Sequence, residues 1–375
     1  MKNDRGALGL YVHIPFCLKK CRYCDFCSFA GLPPETRERY IDALVTEIGA
    51  APAYDGTAVS VFFGGGTPSL LTPREAETVL SALRRKYRLA DDAEITFEAN
   101  PKSMDADGLS AFRALGFNRI SIGVQSFCDE ELQTLGRIHT AREAEKFVEA
   151  AFGAGFGNVG IDLIYAIPGQ TPDTLKYTLS RAVSLTPTHI SAYGLILEEG
   201  TDFYRNRDKL AFFSDDAEAD CYATVYRTLE EAGYRQYEIS NYARDGFMSV
   251  HNLGYWQSRP YLGFGVSAYS CFGGVRRGNT RDIARYMASP TKSVCDTEEM
   301  TPENTEYDYI MLALRTADGI AEKEFFSLFG HAFYENKRKL LQKYVDAGYA
   351  VYDGERTRLT HEGFYLSDAI LTDIL

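Results

Sequence analysis

Three cysteines offer the clearest chemistry in this chain. Cys17, Cys21 and Cys24 stand in a Cys-x-x-x-Cys-x-x-Cys spacing directly after an apolar, β-rich run. One loop can therefore bring three thiolates together, and soft thiolates hold iron-sulfur clusters well. With only three protein ligands, a four-iron cluster keeps one iron open to an exchangeable ligand. The alternatives are a zinc site or a ferredoxin-type cluster with a distant fourth ligand. Of the eight cysteines, four lie between Cys17 and Cys27, while Cys128, Cys221, Cys271 and Cys295 are scattered singly. In a reducing compartment such clustering argues for metal and against disulfides. Cys27 itself is open between a solvent-facing thiol, an alternative ligand and a core residue.

A second chemical signal is the run Gly64-Gly65-Gly66-Thr67-Pro68. Successive glycines let backbone approach a ligand that a side chain would block, although the same run also suits a tight turn. It is no P-loop, because no Gly-Lys pair follows. Polar residues stand near the ends of other apolar runs: Glu98, Gln125, Arg137 and Asp162. Carboxylates accept from hydroxyl and amino groups, and Arg pairs with carboxylate, so this set suits a zwitterionic, ribose-bearing ligand. A third signal is His251-Asn252-Leu253-Gly254-Tyr255-Trp256, which contains the chain's only tryptophan. Histidine can ligate a metal and the aromatics can line a flat apolar group. The plainer alternative is that His251 hydrogen-bonds within a Gly-rich loop over packed aromatics. His13, His139 and His189 are weaker candidates for the same task.

The elements that must position these residues alternate. Apolar β-rich runs at 10–16, 59–63, 94–99, 119–124, 159–167 and 189–197 are separated by helical stretches such as 36–48, 73–85, 141–154 and 171–184. Strands separated by helices imply right-handed crossovers and a parallel sheet with helices outside, a half-closed α/β barrel. In such folds ligands bind at the strands' carboxyl ends, where the glycine run and the polar residues fall. Three regions are expected: 1–240 as the α/β core, 241–300 as a Gly- and Tyr-rich segment of ordered loop or short strands, and 301–375 as a smaller domain. The last offers helices at 323–328 and 332–347, a hairpin at 349–360 turning at Asp353-Gly354, and a helix at 361–374, a winged-helix-like pattern.

Composition narrows the partners. The 375 residues are 45% hydrophobic and 25% charged, as in ordinary folded proteins, and 40 basic against 52 acidic residues give a net charge of -12. That removes the positive field which non-specific nucleic-acid or anionic-membrane binding requires. From Thr301 onward eight Lys and Arg face thirteen Asp and Glu, so a DNA-reading role for the winged-helix-like segment is poorly supported. The first residues lack a signal peptide's apolar core and no run approaches the length of a membrane span, so a cytoplasmic protein without an integral membrane segment is expected.

The motifs together carry a resemblance. Tyr11-Val12-His13-Ile14-Pro15-Phe16-Cys17, Cys21, Tyr23-Cys24-Asp25-Phe26 and Gly64 to Ser69 resemble the radical-SAM branch that contains the oxygen-independent coproporphyrinogen III oxidases and the HemW heme chaperones. The resemblance covers nearly the whole chain. It implies a radical-SAM partial (β/α) barrel, a 4Fe-4S cluster on Cys17, Cys21 and Cys24, and S-adenosylmethionine touched by Tyr11, Tyr23, Gly65, Gly66, Thr67 and Glu98. It adds Gln125, Arg137 and Asp162, whose equivalents in the oxidases can serve a second S-adenosylmethionine. The oxidases carry a further cysteine two residues after the third, where this chain has Phe26, as the chaperones do; Cys27 departs from both patterns. The 251–256 segment matches the HNxxYW motif of the chaperones, implying heme near His251.

Three functions follow for comparison: a chaperone that binds heme and hands it to acceptor hemoproteins, including respiratory ones; an oxidase that decarboxylates coproporphyrinogen III through a deoxyadenosyl radical; and a cluster-sensing DNA-binding regulator. Phe26 and HNxxYW favour the first over the second, and the acidic C-terminal segment disfavours the third.

Overall fold

The computed structural model describes residues 7–375, and the opening residues read above for an export segment lie outside them. Six strands, β1 (Ala7–Ile14), β2 (Thr57–Gly65), β3 (Leu89–Ala99), β4 (Arg119–Gln125), β5 (Asn158–Tyr165) and β6 (His189–Gly194), pair in parallel and in chain order. Between them run α1 (Pro34–Ala50), α2 (Pro73–Lys86), α3 (Ala106–Leu115), α4 (Asp129–Leu135), α5 (Ala141–Gly153) and α6 (Pro172–Ser184). Sequential order with right-handed crossovers stacks the helices on one face and leaves the other to curl into a partial barrel.

Strand alternation sorts the side chains. On β4, Ile120, Ile122 and Val124 are fully buried in the main hydrophobic core, whereas Arg119, Ser121 and Gln125 line the interior cavity. The helices start where the sequence provides caps: Thr72 with Glu75 opens α2, and Thr140 with Glu143 opens α5, each as a reciprocal capping box. β6 stops at Gly194, three residues short of the expected run; 195–197 leave the sheet, and Leu195 and Ile196 border the cavity.

After α7 (Asp215–Glu231) both edges of the sheet are extended. β7 (Arg235–Gln236) and β8 (Asn241–Ala243) add antiparallel strands beyond β6. The Gly- and Tyr-rich segment then crosses to the opposite edge through α8 (Val250–Trp256). There β9 (Tyr261–Phe264) pairs parallel to β1, followed by antiparallel β10 (Tyr269–Phe272), β11 (Val275–Asn279) and β12 (Val294–Glu299). The His251–Trp256 stretch is thus helical and not loop, with the Ser249 hydroxyl accepting from Asn252 N–H at 3.3 Å.

The C-terminal segment has the expected winged-helix order. α9 (Pro302–Ala313), β13 (Ile320–Ala321), α10 (Glu322–Phe329) and α11 (Phe333–Asp346) precede the hairpin β14 (Ala350–Tyr352) and β15 (Arg356–Leu359), and β15 lies between β13 and β14. The last helix is broken into α12 (His361–Tyr365) and α13 (Ser367–Ile374), because Leu366 leaves helical geometry and lets Ile370, Leu371 and Ile374 turn into the core. This segment packs on α7: the His361 ring stacks on Tyr226 with centroids 3.6 Å apart, and the Tyr365 hydroxyl donates to Asp215 O at 2.9 Å. Among the described residues no helix is long and apolar enough to cross a membrane.

Candidate functional site

At the carboxyl ends of β2 to β6 opens a cavity of about 490 Å³. Cys17, Cys21 and Cys24 line it, as does Tyr23 between them. The glycine run contributes Gly65, Gly66 and Thr67, and the strand ends contribute Glu98, Gln125 and Asp162, with Arg137 arriving just after α4. Of the residues singled out in the sequence, Tyr11 and His251 do not line this space.

The cysteine loop is fixed from below. The two-residue strands Phe16–Cys17 and Phe29–Ala30 pair in parallel, Thr67 N–H donates to Phe16 O at 2.8 Å, and Arg22 N–H donates to Leu135 O at 3.1 Å. Gly66 N–H donates to Ile14 O at 2.8 Å, and a Cβ on Gly66 would lie 2.8 Å from Phe16 O, so only glycine lets the two loops meet this closely. Gly65 has φ +104°, with the His13 ring directly behind it. His13 bridges the Tyr11 hydroxyl, 3.0 Å from Nδ1, and Cys27 O, 2.8 Å from Nε2; burial lowers its pKa to about 4, so the ring stays neutral. Tyr11 is therefore a support under the glycine run.

Every cysteine is a free thiol, so the three in the loop are available as ligands. The Arg137 guanidinium places Nη1 3.3 Å from Cys21 Sγ, and Thr67 Oγ1 is 3.5 Å from Cys17 Sγ. Burial pushes the Cys24 thiol up to about 11, an unfavourable setting for a bare thiolate that a bound cation would relieve. Among the described residues no three His, Cys, Asp or Glu side chains gather tightly enough for a single metal ion. Three free thiols of one loop around one cavity fit the ligand set of a cluster. Cys27 takes no part: it is buried, it does not line the cavity, and its Sγ lies 3.6 Å from Arg281 O, which makes it a core residue.

The polar strand ends form one connected floor. Glu98 accepts from Gly65 N–H at 3.0 Å, and burial, reinforced by Asp162, raises its carboxyl to about 8. Burial also raises Asp162, which accepts from Ser121 Oγ at 3.1 Å. Gln125 sits at φ +69°, where the ladder between β4 and β5 slips by one residue, a strained position that aims its amide at the cavity. Two residues were missed in the sequence. Asn100 donates to Thr67 Oγ1 at 3.0 Å and accepts from Arg137, joining the glycine run to the cysteine loop. Arg119, only 1% exposed, reaches the cavity floor beside Glu94 at 3.8 Å. Its signal was the inward alternation Arg119, Ser121, Gln125 on one strand. A ligand bearing an ammonium, a carboxylate and hydroxyls meets here both acids that can ionise on its arrival and a fixed guanidinium.

His251 lies one layer behind this floor. Its ring stacks on Phe62 with centroids 5.1 Å apart, Nδ1 is 2.9 Å from Ser60 Oγ, and Nε2 is 3.0 Å from the Tyr255 hydroxyl. Both nitrogens are thus engaged, and burial lowers the ring's pKa to about 3. The crevice that reaches it holds about 10 Å³, room for a single water. Glu94 pins the helix that carries it, accepting from the N–H groups of Val250 and His251, each at 3.1 Å. Only Asn252 of the motif reaches the main cavity. His139 and His189 are also buried, bonded to Val124 O at 3.1 Å and to the Tyr237 hydroxyl at 2.8 Å.

Comparison with known proteins agrees with this architecture. Residues 11–182 match the Radical SAM superfamily and residues 301–366 match the HemN C-terminal domain. The heme chaperone HemW of Bacillus subtilis is 33% identical over 96% of this chain and 97% of its own length. Its Escherichia coli counterpart is 41% identical over 70% of this chain and 69% of its own. The solved structure of coproporphyrinogen III oxidase (HemN) from Escherichia coli, a radical SAM enzyme, superposes with a TM-score of 0.85 at 25% identity, covering 98% of this chain and 89% of that one. Radical SAM membership implies a 4Fe-4S cluster and S-adenosylmethionine, and likeness over almost the full length of the Bacillus subtilis chaperone places the chain in the HemW family of the radical SAM superfamily.

Proposed function

We propose that this protein is a HemW-type heme chaperone: it binds heme and passes it to acceptor hemoproteins, respiratory ones among them, in the cytoplasm. The observation that carries this reading is the end-to-end likeness to heme chaperones, at 33% identity across both domains. Phe26 supports it, standing where the resembling oxidases have a further cysteine. In this reading Cys17, Cys21 and Cys24 hold the cluster, which supplies an electron and an open iron when bound. Gly65, Gly66 and Thr67 present backbone and hydroxyl to S-adenosylmethionine, Glu98 and Asp162 accept from its amino or hydroxyl groups, and Arg137 with Gln125 orients its polar end. Tyr23 closes the loop side, and Tyr11 acts through His13 from beneath.

His251, which the motif places near heme, serves that function in this reading from behind the cavity floor. With both ring nitrogens bonded and the ring stacked beneath Phe62, its role is to support the cavity floor, and direct ligation of iron requires α8 to open. The test is to supply anaerobically reconstituted protein with heme in one assay and with coproporphyrinogen III, S-adenosylmethionine and reductant in another. Heme binding without decarboxylation is expected. Protoporphyrinogen formed with multiple turnovers, and no heme retained, would make the oxidase the better reading.

A further inference from the structure

The mouth of the cavity carries exposed apolar side chains. Of the thirteen large apolar side chains exposed among the described residues, Leu18 and Phe26 from the cysteine loop, Ile138 after α4 and Ile196 after β6 line this one opening. Phe26 is 57% exposed and Ile196 70%. Neither side chain is needed to close the core, and an exposed apolar ring around a cavity marks a binding surface. The charges at the mouth are unevenly placed. Lys19 and Lys20 belong to the cysteine loop, with Asp25 the acid on that loop, and Glu198 comes from the segment after β6. Lys20 donates to Phe26 O at 2.6 Å, which holds its ammonium at the rim. Against a net charge of -12 these two lysines form a local anion-attracting edge.

We infer that heme lies across this mouth, its macrocycle on Phe26, Leu18, Ile138 and Ile196 and its propionates toward Lys19 and Lys20, closing the cavity over bound S-adenosylmethionine. The placement rests on the heme-binding reading and names its site. The mouth offers what an amphiphilic iron porphyrin requires, a flat apolar ring with cations at one edge. The crevice at His251 offers room for one water.

Heme titration of cluster-loaded protein, followed by absorbance, tests the placement together with S-adenosylmethionine release measured with and without heme. Ile196→Ser and Phe26→Ser each remove an exposed apolar contact and should weaken heme binding roughly tenfold, with iron content and S-adenosylmethionine affinity kept. Lys19→Glu should weaken it through the propionates, and heme should slow S-adenosylmethionine release several-fold in the parent. Parent protein that binds heme while the rim variants bind it equally well, or S-adenosylmethionine that leaves at the same rate beneath heme, would overturn the placement alone. A parent that binds no heme would overturn the chaperone reading as well.

Discussion

At the scale of single residues, the site depends on positions where only one side chain fits. Gly66 meets the backbone of the cysteine strand at 2.7 Å from Ile14 O and 2.8 Å from Phe16 O, measured from where a Cβ would stand. Backbone cannot yield as a flexible side chain can. Gly66→Ala should therefore destabilise by about 1–3 kcal/mol and release iron, measured by urea unfolding and iron analysis; unchanged iron content would show that the contact has slack. Glu98 makes a prediction in pH. Its carboxyl titrates near 8 in the fold against 4.5 when free. A folded pKa above the unfolded one means that its contribution is complete below 4.5 and is lost as pH rises through about 8. The Tm of Glu98→Gln relative to the parent, both without cofactor, should therefore rise across that range; a difference independent of pH would contradict the buried, neutral acid. The cysteine triad and the glycine run were legible in the sequence because their chemistry is set by residue type and local spacing. The role of Tyr11 was not, because its partner His13 lies on the same strand while the loop they support arrives from elsewhere.

At the scale of elements, strands were easier to read than the segment that locks them. Six parallel strands and their helices follow from apolar runs and capping residues, and Glu98 and Asp162 were read near the strand ends, where such folds bind ligands. The helix Val250–Trp256 was not legible: it has seven residues and a glycine within it, and its start is fixed by Glu94, far away in sequence. That carboxylate also faces buried Arg119 at 3.8 Å. Glu94→Gln leaves the arginine unpaired in the interior and should destabilise by about 3–5 kcal/mol, part of which the further change Arg119→Met should restore. Chemical denaturation of both variants checks this; additive losses would mean that the two groups are not coupled. His251 belongs to the same unit. His251→Ala removes two hydrogen bonds and a stacked ring and should cost about 3 kcal/mol of stability. Below its melting temperature the variant should still bind heme, whereas loss of heme from a folded variant would restore His251 as a ligand.

At the scale of the whole molecule, an acidic chain combines a partial barrel with a winged-helix-like segment that packs on α7 and continues the same core. The winged-helix order was readable from the hairpin and its turn, and its charge argued against DNA. What the sequence could not display was the mouth of the barrel, because Phe26, Ile138 and Ile196 come from three loops that only the curled sheet brings together. The apolar, lysine-edged mouth fits a carrier that must give up its cargo, since a ligand held at an opening can leave toward a partner. The direct test is to load the reconstituted protein with heme, mix it with the apo form of a respiratory hemoprotein, and follow both absorption spectra over time. The chaperone account predicts that the acceptor gains its native heme spectrum as the carrier loses heme, faster than from the same concentration of heme held by albumin. Heme that stays on this protein, or reaches the acceptor no faster than from albumin, would contradict it.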